Sequence, residues 1–403
     1  MQKRDKLTLA ALCTAHFVSD SYSSIIYPLL PLLKAKLALT SSQVFWLAPL
    51  LAISSSLMQP LYGFISDRYA RRFFAVFAPT ITAVFVSMIG LAPSYATLIV
   101  LLVAGGIGIG SFHPQAAAMA AAASGNRRRI GMAMFSAIGT LGFAIGPFVI
   151  TRIVDRFGLE HSYYIVGVGI LTSAVLYRVC PPLQAQSRPA PGVAKIKWQL
   201  LVALRAAWKP LLLLYMITVI RSGIQLTTNY YLPFMLEESG YGLTNTGNVL
   251  TVFLLLGGLG GLAGGFMAER ISGRAVTLYS GLLGGPLMVA AFLTGGMTSV
   301  ALLGLGGFVL LSTLPVNVVM AQELVPGQTS TVSALMMGAA WGIGALAPPL
   351  LKSLIPAYGY RNVLIFVSLT TLLSAAFAYF LPREEANRRA VETDLATAAA
   401  TGD

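Results

Sequence analysis

Runs of mainly apolar residues follow one another along the whole chain, near residues 8–32, 43–65, 73–91, 96–120, 130–151, 162–180, 210–234, 247–268, 275–294, 299–322, 331–351 and 362–381. About 20 such residues cross a bilayer as a helix, which satisfies its own backbone hydrogen bonds where no water can. The pattern predicts an all-α membrane protein with twelve transmembrane helices. Composition supports this, since 56% of the 403 residues are hydrophobic and only 10% are charged, more apolar than a water-soluble core requires.

The net charge of +13 invites a nucleic-acid reading until its distribution is considered. An even number of spans puts both termini on one side. The segments on that side hold 20 basic residues, from Lys3, Arg4 and Lys6 to Arg383, Arg388 and Arg389. The opposite segments hold six, Lys34, Lys36, Arg152, Arg156, Lys352 and Arg361, and Arg221 lies within a span. The positive-inside rule therefore places both termini in the cytoplasm, with the chain in a bacterial-type inner membrane. No charge is left over that calls for DNA or RNA. The basic N-terminus leads into an apolar run too long for a secretory signal, with no small-residue cleavage site, so the first span is expected to remain. Cys13 and Cys180 both sit in apolar surroundings and read as packing residues.

The sequence is written twice. At an offset of 202, "GFISDRYARR" from Gly63 aligns with "GFMAERISGR" from Gly265, pairing Asp67 with Glu269, Arg68 with Arg270 and Arg72 with Arg274. An offset of 201 pairs Gly105, Gly106, Ser111, Pro114 and Met119 with Gly306, Gly307, Ser312, Pro315 and Met320. The predicted organisation is a six-helix half over 1–180, a cytoplasmic linker over 181–209, a second half over 210–382 and a polar tail over 383–403. The linker begins Pro-rich and then alternates basic and apolar residues around Trp198 and Trp208, as an interfacial helix does.

Two pseudo-symmetric halves with a G-x-x-x-D-R-x-x-R-R loop after the second helix resemble the major facilitator superfamily of secondary transporters. The resemblance implies a substrate site near the midplane between halves that rock to expose it alternately. It also implies a gating role for Gly63, Asp67, Arg68 and Arg72 and for their repeat, Gly265, Glu269, Arg270 and Arg274. In the family the loop acid faces the start of the eleventh helix, here at Thr329 or Ser330, where a helix N-terminus favours a carboxylate. "GTLGFAIGPF" in the fifth helix is similar to the superfamily's antiporter motif, with Gly142 and Gly146 spaced for close packing and Pro147 to bend the helix. Val149 and Ile150 replace the glycine pair expected after the proline. "GGIGIG" from Gly105 lies inside a span with no acid downstream, so it is not a nucleotide loop.

Ionisable residues within spans need a reason, because a charge at mid-membrane costs several kcal/mol unless it meets water or a partner. Asp20 lies mid-way along the first helix, with His16 at i−4 and Ser23, Ser24 and Tyr27 on the same stripe. Arg221 lies at similar depth in the seventh, followed by Gln225, Thr228 and Asn229. Two such stripes describe a cavity, with Asp20 and Arg221 facing as a breakable pair. His113 and Gln115 flank Pro114 in a stretch with no Lys, Arg, Asp or Glu between Phe73 and Asn126. "AHFVSDSYSSIIYPLLPLL" together with "SFHPQAAAMA" resembles the fosmidomycin-resistance branch of the superfamily, whose F-H-P-E-A segment carries a Glu where this chain has Gln115.

The expected function is alternating-access, proton-coupled efflux of a small drug-like or anionic compound by a monomer in the lipid bilayer. Asp20, His16 and His113 would couple protons. Tyr27, His113, Gln115, Arg221, Gln225, Thr228 and Asn229 would bind substrate. One alternative is an importer or facilitator of an organic acid or sugar without strict proton coupling; another is a non-transporting membrane sensor. No nucleophile–base pair or metal-ligand spacing falls at a common depth, so neither an enzyme, a cofactor nor a metal is expected.

Overall fold

The first helix, α1 (Lys3–Ser24), ends where the sequence withdraws a donor: Pro28 has no amide to offer the Ser24 carbonyl, and the chain resumes after Ile25 as α2 (Ile26–Lys36). The computed structural model describes residues 3–59, 61–62, 71–125, 128–180, 193–325 and 332–382, and no strand occurs among them. A capping box opens α3 (Ser41–Ala52): the Gln43 amide donates to Thr40 Oγ1, and the Thr40 amide donates to Gln43 Oε1. A π-helical turn, Ile53–Leu57, follows.

The first repeat continues with α4 (Arg71–Ser87), α5 (Tyr95–Ala123), α6 (Arg128–Phe157) and α7 (Val166–Val179). α8 (Val193–Glu238) is one continuous helix of 46 residues, so the second part of the predicted linker runs unbroken into the seventh span. Next come α9 (Leu243–Ile271), α10 (Gly273–Leu293), α11 (Gly296–Leu311) and α12 (Leu314–Leu324). After a second π-helical turn, Ala334–Ala339, the chain closes with α13 (Ala340–Gly344), α14 (Ala347–Leu351), α15 (Ile355–Leu369) and α16 (Thr371–Tyr379).

Among the described residues nine helical stretches are long and apolar enough to cross a membrane. The last, Leu335–Tyr379, contains two of the predicted windows. The first window is divided at Ile25, and the second runs partly outside the described residues. Large apolar side chains cover the exterior, Leu350, Phe266, Phe380 and Met297 among them, a surface suited to lipid.

Small residues set the helix spacing. Gly142 and Gly146 let α6 lie directly on α1: a Cβ at Gly142 would stand 2.1 Å from the Phe17 carbonyl oxygen, and one at Gly146 would stand 2.3 Å from that of Ser21. The same device recurs where Gly260 and Gly264 of α9 meet the Phe308 and Ser312 carbonyls.

The repeat is visible as a duplicated contact. Arg72 donates to the Tyr177 carbonyl and lies over its ring at 5.0 Å. Arg274 donates to the Tyr379 carbonyl at 2.6 Å and lies over its ring at 5.9 Å. Both donor and acceptor are displaced by the offset of 202 seen in the sequence. The two repeats also meet at the end of the bundle opposite the termini. There Arg152 donates to Asn248 (3.0 Å), Thr244 to Asp155 (3.0 Å), Lys352 to Ser42 (2.7 Å) and the Tyr230 hydroxyl to the Val44 carbonyl.

Candidate functional site

Asp20 is on α1 one turn before the break, and α1 packs against both α5 and α6. His16, one turn earlier, brings Nε2 to 3.2 Å from Asp20 Oδ2; His113 of α5 brings its Nε2 to 2.9 Å from Oδ1. The carboxylate is thus divided between two imidazoles, one from its own helix and one 93 residues away. The side chains of His16, Asp20 and His113 are 9%, 17% and 23% exposed, so the group is enclosed but reachable.

Backbone carbonyls fix both rings. His16 Nδ1 is 2.8 Å from the Phe135 carbonyl oxygen, and His113 Nδ1 is 2.7 Å from that of Ile109. A carbonyl oxygen only accepts, so each Nδ1 carries a proton and each Nε2 is the nitrogen turned toward Asp20. The His16 ring also stacks on Phe135 at a centroid distance of 4.1 Å and meets His113 edge-on at 5.1 Å. Gly139 makes room for it: a Cβ there would fall 2.4 Å from His16 Cε1. Phe135, Gly139 and Ile109 were missed in the sequence; only the run of small residues along α6 hinted at a close neighbour.

The three ligand-type atoms lie within 4.8 Å of one another, near enough to be drawn around a divalent ion. The sequence showed no metal-ligand spacing because His113 is far from the other two along the chain. His113 Nε2 is hydrogen-bonded to the carboxylate and His16 Nε2 stands at ion-pair distance from it, so both rings already engage Asp20.

The seventh-span stripe is buried in α8. Gln225 Oε1 and both Asn229 Oδ1 and Nδ2 are enclosed without a partner among the described residues, while Thr228 donates to its own helix at Ile224. Buried amides left open cost stability and mark a place for a ligand or water. Tyr27 is buried with its ring edge toward Phe143. Gln115 is also buried, but two residues turn a helix by about 200°, so it does not join the His113 cluster.

The expectation that Arg221 faces Asp20 is corrected. Its guanidinium is fully buried and donates to Ser280 Oγ (2.6 Å), the Leu310 carbonyl (2.9 Å) and the Thr277 carbonyl (2.9 Å), tying α8 to α10 and α11. No ion pair joins it to Asp20 among the described residues.

Gly63, Asp67, Arg68, Thr329 and Ser330 lie outside the described residues, so the loop latch is described only in part. Glu269 and Arg270 are exposed. A Cβ at Gly265 would meet nothing within 4 Å, so this glycine does not serve close packing here. Pro147 lies within α6, beside the Gly142 and Gly146 contacts.

The sequence model of the Major Facilitator Superfamily matches residues 12–345 and 227–400. The chain belongs to this superfamily. It is 28% identical over 387 residues to the MFS-type transporter YfnC of Bacillus subtilis (strain 168), covering 94% of this chain and 93% of that one. It is also 28% identical over 358 residues to the fosmidomycin resistance protein of Escherichia coli (strain K12), covering 85% of each. A bacterial homologue of the human lysosomal transporter Spinster shares the fold with a TM-score of 0.79 at 16% identity, over 98% of this chain and 99% of that one. The protein is a multi-pass membrane transporter of the major facilitator type, and the branch resemblance seen in the His-Pro segment agrees with its relatives.

Proposed function

We propose that this transporter exports a small polar, drug-like compound in exchange for protons, with phosphonates such as fosmidomycin as the first class to test. The observation that carries this reading is the Asp20 carboxylate held between two Nε2 atoms. A proton arriving there has three groups of interchangeable role to occupy, and its loss changes the hydrogen bonds linking α1 to α5. That gives a bundle which must alternate between two arrangements a chemical reason to prefer one of them.

Gln225 Oε1 and the Asn229 amide, buried without a partner among the described residues, supply polar groups for cargo, and Tyr27 and Thr228 are buried polar groups assigned to the same task. Arg221 acts by positioning α8. Similarity to the fosmidomycin resistance protein supports the class of cargo. With the basic residues inside, the termini are assigned to the cytoplasm, and the end where Arg152, Thr244, Lys352 and Tyr230 join the repeats to the outer face. The working unit is a monomer in the inner membrane.

Proton flux in reconstituted vesicles tests this, with fosmidomycin added to the native chain and to Asp20→Asn. Drug-triggered flux that the substitution abolishes is expected. Labelled drug crossing equally well in both, without proton movement, would instead establish a facilitator. That second reading is favoured by one observation, Gln115 where the branch carries a carboxylate.

A further inference from the structure

We infer that His16, Asp20 and His113 form a binding site for a single transition-metal dication of the Zn²⁺ class, and that such an ion inhibits transport. The site stands on geometry alone. The inhibition rests on the proton-coupled reading above, and the experiment below separates the two.

Three ligands converge from two helices. His16 and Asp20 are one turn apart on α1 and share a face, while His113 reaches them from α5. One ligand atom from each falls within 4.8 Å of the other two, and among the described residues this is the one such convergence of three His, Cys, Asp or Glu side chains. An ion bonded to imidazole nitrogen and carboxylate oxygen at about 2.0–2.2 Å holds neighbouring tetrahedral ligands roughly 3.4 Å apart. The nitrogen–oxygen separations here are 3.2 Å for His16 and 2.9 Å for His113. Shifts of about half an ångström or less bring both pairs to that geometry. Two imidazoles and one carboxylate suit Zn²⁺, Co²⁺ or Ni²⁺; Mg²⁺ and Ca²⁺ demand a shell of oxygens. Three protein ligands leave the fourth position to water.

The rings are already oriented as ligands. Both Nδ1 atoms donate to backbone carbonyls, of Phe135 at 2.8 Å and of Ile109 at 2.7 Å. Metal-binding histidines have this kind of outer partner, which fixes the tautomer and leaves Nε2 to the ion. A neutral His16 turns its Nε2 lone pair toward a carboxylate oxygen, an arrangement that a cation between the two relieves. Phe135, stacked on His16 at 4.1 Å, and Phe112, at 6.1 Å, give the site an apolar wall. As the ion enters, the proton of the His113–Asp20 hydrogen bond leaves to water, and bonds from the metal to Nε2 and to the carboxylate oxygen take its place. The carboxylate and both Nε2 atoms are then committed to the metal, and none remains to accept a proton.

The full chain in detergent is titrated with Zn²⁺ by calorimetry and with Co²⁺ by visible absorption. One ion per chain is expected, with the intense bands of four-coordinate Co²⁺, and Mg²⁺ gives neither signal. Asp20→Asn, His16→Asn and His113→Asn are each expected to weaken binding about tenfold or more. ¹⁵N-histidine NMR of the native chain needs no variant of the cluster: Zn²⁺ is expected to shift the Nε2 resonances of two of the three histidines and to leave His161 in place. Absence of binding, or binding undiminished in the ligand variants with His161 alone shifted, overturns the site. In proteoliposomes, Zn²⁺ is expected to suppress fosmidomycin-triggered proton flux over the concentrations that fill the site, and a chelator to restore it. Binding as expected with flux untouched confirms the site but overturns the inhibition, and with it the proton role of Asp20.

Discussion

Replacing Gly139 by alanine perturbs the His16–Asp20–His113 cluster through a residue outside it. The added Cβ would stand 2.4, 2.5 and 2.6 Å from Cε1, Nε2 and Nδ1 of His16, where ordinary contact begins at 3.4 Å. In a close-packed interior the ring must retreat by about 1 Å. Its room to move is small, since Phe135 stacks on one face and Nδ1 is bonded to the Phe135 carbonyl. A retreat of that size lengthens the 3.2 Å contact to Asp20 to the limit of an ion pair, about 4 Å. Losing a charge-assisted bond costs about 1.5–3 kcal/mol and overpacking about 1–3, while alanine returns about 1 through its helix preference. The net loss is about 1.5–5 kcal/mol. Thermal unfolding in detergent is expected to shift down, and drug-triggered proton flux to fall. Gly167→Ala is the control, because a Cβ there meets nothing within 4 Å. Unchanged melting and unchanged flux in Gly139→Ala would refute the close packing of the His16 ring against α6.

Arg221→Lys is expected to lower the melting temperature markedly, since one ammonium cannot reach all three acceptors, while the apparent KM for fosmidomycin changes less than about twofold. A tenfold rise in KM without loss of stability would return Arg221 to the substrate. Arg72→Ala and Arg274→Ala are expected to destabilise by similar amounts, about 1–2 kcal/mol each, because they remove the same contact from each repeat; thermal melts of the two variants provide the comparison. Prolonged treatment with a metal chelator is expected to leave drug-triggered flux intact, and a loss reversed by added Zn²⁺ would make a metal at the three-residue cluster a requirement of transport rather than an inhibitor.

Which polar residues fall within the apolar helices was legible in the sequence, whereas direction around a helix was not. The charge-free stretch around His113 and the isolated acid at position 20 singled out both residues, and helical spacing added His16. Their meeting depends on α5 lying beside α1, which no periodicity reveals. Arg221 shows the limit most clearly. The repeat aligned it with Ser19 rather than Asp20, and one residue turns a helix by about 100°. Ser19 is fully buried within its own repeat, and Arg221 is fully buried against its own neighbours in the same way. Equal depth suggested a facing pair; the alignment itself already pointed Arg221 elsewhere. The division of the first span was readable in Pro28, whereas the continuity of α8 through Pro210 was hidden by a composition that resembled a linker.

The duplicated arginine clamps make the molecule its own control. Arg72 with Tyr177 and Arg274 with Tyr379 are one contact repeated at an offset of 202, yet only the first lies in the repeat that contains Asp20. A defect common to both substitutions measures what the clamp does for architecture. Any excess in the first measures how far that end of the bundle communicates with Asp20, a subtraction that a transporter without internal ancestry could not provide.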